Sequence, residues 1–423
     1  MLTERNSTSP FNPVNLRSFY RAAIACRLSV AVWRLPHDPQ SQAIIDFSGR
    51  CEPQPVGLLA GGRGGFMVAP FMNRGGNISY FLPAHGWLRG DQLNYTSDLF
   101  SESAVVENKS GFEATLRGLL SSGNGHDEPA RWHVCTLPAT GLAVGKDNFI
   151  RMVDDAVSHI ERHDFRKVVL SRIIERDLPP DFDPIGLFHR LCDAFPGAFV
   201  SLVAMPGIGT WIGATPELHM TIKDNQLRTV ALAGTMTAAD LDAKWGTKEL
   251  EEQAIVSEYI RGCFQRHDIT NVAEHGPETV RVGDLLHLQT TFTADFKKRQ
   301  NLEAVNRLLL ELHPTPAVCG LPKEVAMQYI LRTESHDRQF YSGFLGPVNY
   351  SGQSNLFVNL RCLQLLPTSA ILYAGVGITK DSVPENEWRE TQLKFNALLK
   401  FLDSADDRKP LRFSPTRELM EDL

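Results

Sequence analysis

The sequence of 423 residues lacks most features that assign a chain to a special class of protein. Its seven cysteines are scattered and form no CxxC pair, which points to reduced thiols rather than a disulfide framework. No apolar run reaches the roughly 20 residues of a membrane span, and the polar start lacks a signal peptide's apolar stretch. The net charge is -6 without basic runs, so nothing indicates nucleic-acid binding. We expect a cytoplasmic protein that binds neither membrane nor nucleic acid, with a monomer as the expected assembly.

Several motifs of nucleotide binding and covalent catalysis are missing as well. The glycine cluster at 57–65 lacks the Gly-Lys-Ser/Thr ending of a P-loop, and AGVG at 374–377 lacks the third glycine of a dinucleotide fingerprint. There is no Gly-x-Ser-x-Gly elbow, and the cysteines have no recognisable nucleophile context. Neither a bound nucleotide nor an acyl-enzyme is therefore expected.

The spacing of apolar residues divides the chain into three parts. Short apolar runs alternate with Gly- and Asn-rich turns in residues 1–144. This pattern predicts a mostly β region, which we expect to pack on the catalytic part that follows. Residues 145–403 begin with a helical period at 148–164 and the strand-like KVVLSRIIER, and further strands alternate irregularly with helices near 247–265, 301–311, 322–334 and 385–403. Residues 404–423 form a polar tail. Because several strands follow one another directly, we predict an α+β fold with large antiparallel or mixed sheets and outer helices.

Two glutamate pairs with the same spacing are the most informative feature. Glu249 with Glu252, and Glu387 with Glu390, each put two like charges on one face of a predicted helix. A hard cation would remove the repulsion, and carboxylate oxygens without His or Cys suit Mg²⁺. Taken alone, each segment is better explained as a solvated helix face, because Lys248 and Lys394 lie four residues from a glutamate.

Other segments decide between these interpretations. They are RKVVLSR, GATPELHM, ALAGT, LLHLQT, LHPTPAVCGLP, and the stretch from YSGFLG to NLRC followed by AGVGIT. In this order they resemble the chorismate-utilising enzymes, a family of isochorismate, salicylate, anthranilate and aminodeoxychorismate synthases. The resemblance covers about residues 145–403 and implies chorismate as substrate and Mg²⁺ as cofactor.

The resemblance also assigns site residues. It makes Glu252 and Glu390 direct metal ligands, with Glu249 and Glu387 direct or acting through water. It implies that Lys394, Arg361 and Tyr341 bind the enolpyruvyl carboxylate of the substrate. The other implied substrate-binding residues are Gly375, Gly377, Gly234, Thr235, His287 and Ala317. His287 is equally consistent with a core histidine bonded to backbone, and the glycines of AGVG with a bend at a strand end.

Two residues are assigned to proton transfer. Lys167 begins an apolar strand and, taken alone, is more typical of an edge gatekeeper than of a desolvated base. The resemblance implies instead that Lys167 activates the attacking water. Glu217, which follows a proline at a strand start, is the implied general acid, and burial would keep it protonated.

Single residues distinguish the branches of the family. Anthranilate synthases carry glutamine where this chain has Lys167, and aminodeoxychorismate synthases carry a lysine nucleophile where it has Ala233. Ala317 is small, as in isochorismate synthases, where salicylate-forming relatives tend to have threonine. We therefore predict an isochorismate synthase, an isomerase, with salicylate synthase as the alternative and a silent chorismate-binding subunit as a third hypothesis. The chain departs from the family at Gln253, where many relatives have a histidine. Whether the product enters a menaquinone or a siderophore pathway stays open.

Overall fold

The computed structural model describes ten stretches of the chain: 6–9, 11–56, 62–72, 78–96, 102–121, 131–136, 143–237, 244–282, 285–296 and 302–402. The predicted polar tail at 404–423 and most of the glycine cluster at 57–65 lie outside these residues. None of the described helices is both long and apolar enough to cross a membrane.

The described helices are α1 (Leu16–Ala25), α2 (Ser103–Ser121), α3 (Lys146–Glu161), α4 (Pro184–Ala194), α5 (Thr247–Arg266), α6 (Leu302–Glu311), α7 (Lys323–Thr333) and α8 (Pro384–Leu402). The predicted helices near 148–164, 247–265, 301–311, 322–334 and 385–403 are confirmed to within a few residues. Helices α1, α2 and α4 were not predicted. The mostly β interpretation of the first third was therefore incomplete, because α1 and α2 lie within it.

The described strands of the first half are β1 (Asn6–Thr8), β2 (Ser29–Arg34), β3 (Gln42–Asp46), β4 (Pro53–Pro55), β5 (Gly65–Ala69), β6 (Ile78–Pro83), β7 (Gly86–Arg89), β8 (Gln92–Thr96), β9 (Lys167–Asp177) and β10 (Phe199–Met205). Those of the second half are β11 (Gly209–Thr215), β12 (Leu218–Lys223), β13 (Gln226–Thr237), β14 (Ala273–Val282), β15 (Leu285–Asp295), β16 (Gly320–Leu321), β17 (Phe344–Val348), β18 (Gln353–Val358), β19 (Cys362–Leu365) and β20 (Ser369–Ile378).

These strands form two large sheets. An 11-stranded sheet, here sheet A, has the order β1-β8-β7-β3-β2-β10-β11-β19-β20-β9-β16. A 9-stranded sheet, sheet B, has the order β14-β15-β13-β12-β18-β17-β5-β6-β4. The pairings between these strands are antiparallel, for example β2 with β10 and β5 with β17. The fold is thus α+β, as predicted, and strands from both sides of residue 145 share the same sheets.

The sheets pack face to face, and helices cover their outer faces. Trp33 of sheet A and Phe66 of sheet B belong to one core between the sheets. A second core lies between sheet A and helices that include α1, α4 and α8, while α5 and α6 cover sheet B. Sheet strands such as β2 and β10 are buried along their whole length, which explains why their sequences are continuously apolar rather than alternating.

Candidate active site

A cleft of about 730 Å³ opens where the chain passes from one sheet to the other. Its lining combines residues of both sheets with the 317–318 segment and with the first halves of α5 and α8. Eleven of the predicted site residues line it: Glu217, Gly234, Glu252, His287, Ala317, Tyr341, Arg361, Gly375, Gly377, Glu390 and Lys394. The structure therefore brings together side chains that are spread over most of residues 145–403.

Glu217 and Arg361 both lie at points where the chain passes from one sheet to the other. Glu217 lies between β11 of sheet A and β12 of sheet B, and Arg361 lies between β18 of sheet B and β19 of sheet A. The crossings are joined, because the amide of Val358 donates to the Glu217 carbonyl at 3.0 Å. The stretch 354–366 is apolar enough for one continuous strand, but it breaks at Asn359–Arg361, and Arg361 lines the cleft.

Arg361 is held in the cleft by His287. The Nδ1 atom of His287 lies 2.8 Å from the Gly234 carbonyl, which can only accept, so Nδ1 carries the proton. The free Nε2 then accepts from Nη2 of Arg361 at 2.8 Å. Burial, reinforced by the Arg361 charge, lowers the pKa of His287 to about 3, so the ring is neutral. His287 is thus bonded to backbone, as one interpretation expected, and it also orients a cleft residue.

The backbone and charge of Arg361 are both unusual. Its φ of 46° lies in the left-handed region, which a residue with a side chain adopts at a cost of about 1 kcal/mol or more. Burial lowers the pKa of its guanidinium to about 10, yet the group stays charged at neutral pH. A buried cation at the wall of a cleft fits an anionic ligand, because a carboxylate would supply the missing countercharge.

Lys167 lies at the start of β9 and its side chain is completely buried. Its Nζ is 2.9 Å from Oε1 of Glu252, which itself lines the cleft. Burial opposes the charged form of Glu252, but Lys167 and Lys248 outweigh this effect and hold the pKa of Glu252 below its ordinary value. The edge-gatekeeper interpretation does not fit this environment, because a gatekeeper lysine extends into solvent.

Glu217 has the opposite electrostatic behaviour. It is 4% exposed, and burial raises its pKa to about 8, while Lys167 and Lys394 oppose the shift. At neutral pH this carboxyl is therefore mostly protonated and able to donate a proton. The cleft thus contains one carboxylate held ionised, Glu252, and one carboxyl held neutral, Glu217, which is the arrangement expected of separate acid and electrostatic roles.

The glycines of AGVG make room for cleft side chains. Both lie inside β20, paired with β9, so no bend at the strand end requires them. A Cβ on Gly377 would lie 2.0 Å from Oε1 of Glu252, and a Cβ on Gly375 would lie 2.8 Å from the Tyr341 hydroxyl. The absence of these side chains allows Glu252 and Tyr341 to occupy the cleft wall.

The remaining predicted substrate-binding residues differ in their surroundings. Gly234 has a φ of +69° in an irregular part of β13 and presents its carbonyl to His287. Lys394 donates to the Gly375 carbonyl at 2.7 Å and pairs with Glu390 at 2.7 Å. The Thr235 side chain lies outside the described residues. Ala317 is half-buried at the cleft wall.

The four glutamates do not form one cluster. Within the described ranges, no group of three or more His, Cys, Asp or Glu side chains is placed to hold a metal ion. Glu252 and Glu390 line the cleft, whereas Glu249 and Glu387 are not among its lining residues. The carboxylate of Glu249 turns back to its own helix start, where a Cβ on Gly246 would be 2.7 Å from its Oε2.

The donor set nevertheless fits Mg²⁺ held by two carboxylates. Mg²⁺ commonly takes one or two protein carboxylates and completes its shell with water and substrate oxygens. Glu252 and Glu390 offer such a pair. Behind them Glu387 is 1% exposed in its side chain, and its Oε2 has no hydrogen-bond partner among the described residues. The four-glutamate site remains a prediction, and the two-carboxylate version is the one that these positions allow.

Lys248 and Tyr373 were missed as site residues. Lys248 on α5 donates to Oε1 of Glu387 on α8 at 2.6 Å, so it joins the two glutamate-bearing helices. The sequence showed only a lysine four residues before Glu252, and the true partner lies 139 positions away. Tyr373 lines the cleft and stacks on Tyr341 at 5.4 Å, and no local pattern distinguishes it from a core tyrosine.

Several known proteins are similar to this chain in sequence. A salicylate biosynthesis isochorismate synthase of Pseudomonas aeruginosa is 34% identical over 272 residues, which cover 62% of this chain and 56% of that protein. The isochorismate synthase EntC of Escherichia coli is 29% identical over 260 residues, covering 59% of this chain and 66% of that protein. The matched regions thus span less than two thirds of these relatives.

Solved structures show the same fold. The menaquinone-specific isochorismate synthase MenF of Escherichia coli superposes with a TM-score of 0.73 at 22% identity, covering 94% of each chain. The family model described as chorismate binding enzyme matches residues 116–403, so it begins within α2, upstream of the boundary that we predicted near Gly145. That match extends over more than half of the sequence, and the chain belongs to the family of chorismate-binding enzymes.

Proposed function

We propose that this protein is an isochorismate synthase that converts chorismate to isochorismate with Mg²⁺ bound. The observation that carries the proposal is a neutral Glu217 in the cleft together with the buried Lys167, which contacts Glu252 of the cleft lining. The names of similar proteins support it, because relatives from Pseudomonas, Escherichia and Bacillus are named isochorismate synthases. A cytoplasmic, monomeric enzyme remains our expectation.

In the proposed reaction one water enters and one leaves. Lys167 takes a proton from the water that attacks carbon 2 of chorismate, and Glu217 gives its proton to the hydroxyl leaving carbon 4. The double bonds of the ring shift as the carbon–oxygen bond at carbon 4 breaks, so the product is an isomer. As a base, Lys167 must be the neutral amine, so it must leave its contact with Glu252 and release one proton before the water attacks. The proton that it takes from the water balances the proton that Glu217 gives to the leaving hydroxyl. When bound, Mg²⁺ would neutralise a substrate carboxylate and orient it.

Product identification is the direct test. The protein is incubated with chorismate at neutral pH, with Mg²⁺ or with EDTA, and products are separated by chromatography. We expect isochorismate only when Mg²⁺ is present. Pyruvate with salicylate as the main products would favour salicylate synthase. Binding of chorismate without turnover would favour the silent subunit.

Replacement of the two cleft carboxylates should remove the metal dependence. We expect Glu252→Gln and Glu390→Gln to lower Mg²⁺-dependent turnover by at least about 100-fold, because even outer-shell partners of a metal are worth 10–100-fold. Activity is measured against Mg²⁺ concentration, and metal binding by calorimetry. Glu251→Gln is the control, because Glu251 lies on the same helix and pairs with Lys380 at 3.7 Å. Normal turnover and Mg²⁺ dependence in both cleft variants would contradict the metal site.

Arg361→Ala should weaken use of the substrate by on the order of 2–5 kcal/mol, because a buried carboxylate would lose its charged partner. The measured quantity is kcat/KM for chorismate. Arg261→Ala is a matched control, since Arg261 pairs with Glu274 at the surface at 2.8 Å. Unchanged chorismate kinetics in Arg361→Ala would place this residue outside the substrate site.

A further inference from the structure

A buried polar cluster behind the cleft has no part in the proposed reaction. It consists of Arg338, Glu334, Ser171 and His336, here the Arg338 cluster. The side chains of Arg338 and Glu334 are each 2% exposed, and Nη2 of Arg338 lies 2.5 Å from Oε1 of Glu334. Ser171 is fully buried, and its Oγ lies 3.0 Å from Nε2 of His336. The cluster is closed to solvent, so it has no access to a substrate.

The cluster completes the hydrogen bonding of β9 where its neighbouring strand ends. Strand β16 pairs with β9 at Lys167 and Val168, and the last backbone bond along this edge runs from the Val169 amide to the Cys319 carbonyl at 2.7 Å. Beyond that point Nη2 of Arg338 donates to the Val169 carbonyl at 2.7 Å. Oε1 of Glu334 accepts from the Ser171 amide at 2.6 Å and from its hydroxyl at 2.9 Å. The ion pair therefore replaces a strand along this edge.

Arg338 also bonds to the 315–319 segment, which forms a second wall of the cleft. Nη1 of Arg338 donates to the Val318 carbonyl at 2.8 Å, next to Ala317. Val169 and Val318 both line the cleft, so one guanidinium spans two of its walls. The Arg338 carbonyl accepts from the Tyr341 amide at 2.8 Å, which ties a third lining residue to the cluster.

We propose that Arg338 is a positioning residue that fixes the distance between the start of β9, which carries Lys167, and the 315–319 segment, which carries Ala317. Only a guanidinium can reach two carbonyls and both oxygens of a carboxylate at once, since its donors are fixed in one plane. Stability alone explains the cluster poorly, because buried ion pairs are often no more stabilising than apolar residues of the same size. The effect on turnover rests on the proposed function, whereas the effect on local structure does not.

Arg338→Lys is the test, with Arg34→Lys as the matched control. Arg34 is a buried arginine that donates to the carbonyls of Pro196 and Phe195, away from the cleft lining. We expect faster hydrogen exchange at 167–171 and 315–320 in Arg338→Lys only. We also expect kcat to fall by about 100-fold, more than KM changes, because a displacement of about 1 Å can cost this factor.

Two results would overturn the proposal. One is unchanged exchange in both segments, and the other is kinetics equal to those of Arg34→Lys. If Arg338→Lys does not fold, Ser171→Ala decides, because it removes only one hydroxyl of the cluster, which contacts Glu334 and His336. It should then lower kcat about five-fold, as expected for one hydrogen bond, and an unchanged kcat would overturn the proposal. If the wild type forms no isochorismate, the proposed function is wrong and the exchange measurement alone decides the positioning role.

Discussion

Lys167→Ala is expected to lower isochorismate formation by about 10²–10⁴-fold, the usual cost of a lost general base. Lys394, which lines the cleft, does not replace Lys167, because it is bonded to the Gly375 carbonyl and to Glu390. The initial rate of isochorismate formation from chorismate measures the effect. The same loss is expected when isochorismate is supplied and chorismate is assayed, because the acid and base exchange roles in the reverse direction.

Controls separate this chemical role from a structural one. The substitution leaves a small cavity beside Glu252, so added methylamine should restore part of the rate by supplying an amine at the same place. Lys323→Ala is the matched control for stability, because Lys323 bonds two backbone carbonyls at 2.9 and 3.2 Å outside the cleft lining. A lowered Tm with near-normal rates in both directions would show that Lys167 is only structural.

Glu217→Gln is expected to block turnover to a similar extent, because the amide occupies the same volume but cannot give up a proton. We expect a loss of about 10²–10⁴-fold in kcat with little change in the affinity for chorismate. The rate of product formation and the dissociation constant for chorismate are measured separately. The control is Glu175→Gln, which makes the same change on β9, outside the cleft lining. Normal turnover in Glu217→Gln would exclude Glu217 as the acid.

The pH dependence of the wild type follows from the same group. Because the pKa of Glu217 in the free protein is raised to about 8, kcat/KM should fall as the pH rises through about 8 and the acid loses its proton. The folded protein binds this proton more tightly than the unfolded chain, whose carboxyl has the ordinary value of 4.5. The resulting stabilisation is complete below pH 4.5 and is lost as the pH rises through about 8. A kcat/KM that stays constant from pH 6 to 9.5 would contradict this assignment.

Local patterns predicted the helices that carry the glutamates. Helices α5 and α8 follow from periodicity and composition, and both are confirmed. Helix α4 was missed although its start has clear signals: Asp183 caps the amides of Ile185 and Gly186, and Pro184 occupies the first turn. Helix α1 likewise begins at Asn15, whose side chain accepts from the Ser18 amide at 2.8 Å. These misses were errors of interpretation, since the capping residues were present.

The break between β18 and β19 could not be predicted in the same way. The sequence from 354 to 366 is apolar enough for one strand, and no proline or glycine interrupts it. The chain turns at Asn359 because Asn359 donates to the Phe340 carbonyl at 3.0 Å and because β19 pairs with β11 in the other sheet. Both contacts join residues distant in sequence, and a local pattern contains no information on them.

The sequence by itself determined the family, the α+β class, the helices of the glutamate pairs and the identity of most cleft residues, because motif order and apolar period are local properties. Only the tertiary structure decided which charges meet. Lys167 of β9 pairs with Glu252 of α5, and Lys248 of α5 pairs with Glu387 of α8. Burial at the crossing of the two sheets makes Glu217 neutral, whereas Lys167 and Lys248 keep Glu252 ionised against the effect of burial, although both are glutamates in the sequence. The pKa of a carboxyl depends on desolvation and on neighbouring charges, and these arise only when the two sheets close over it.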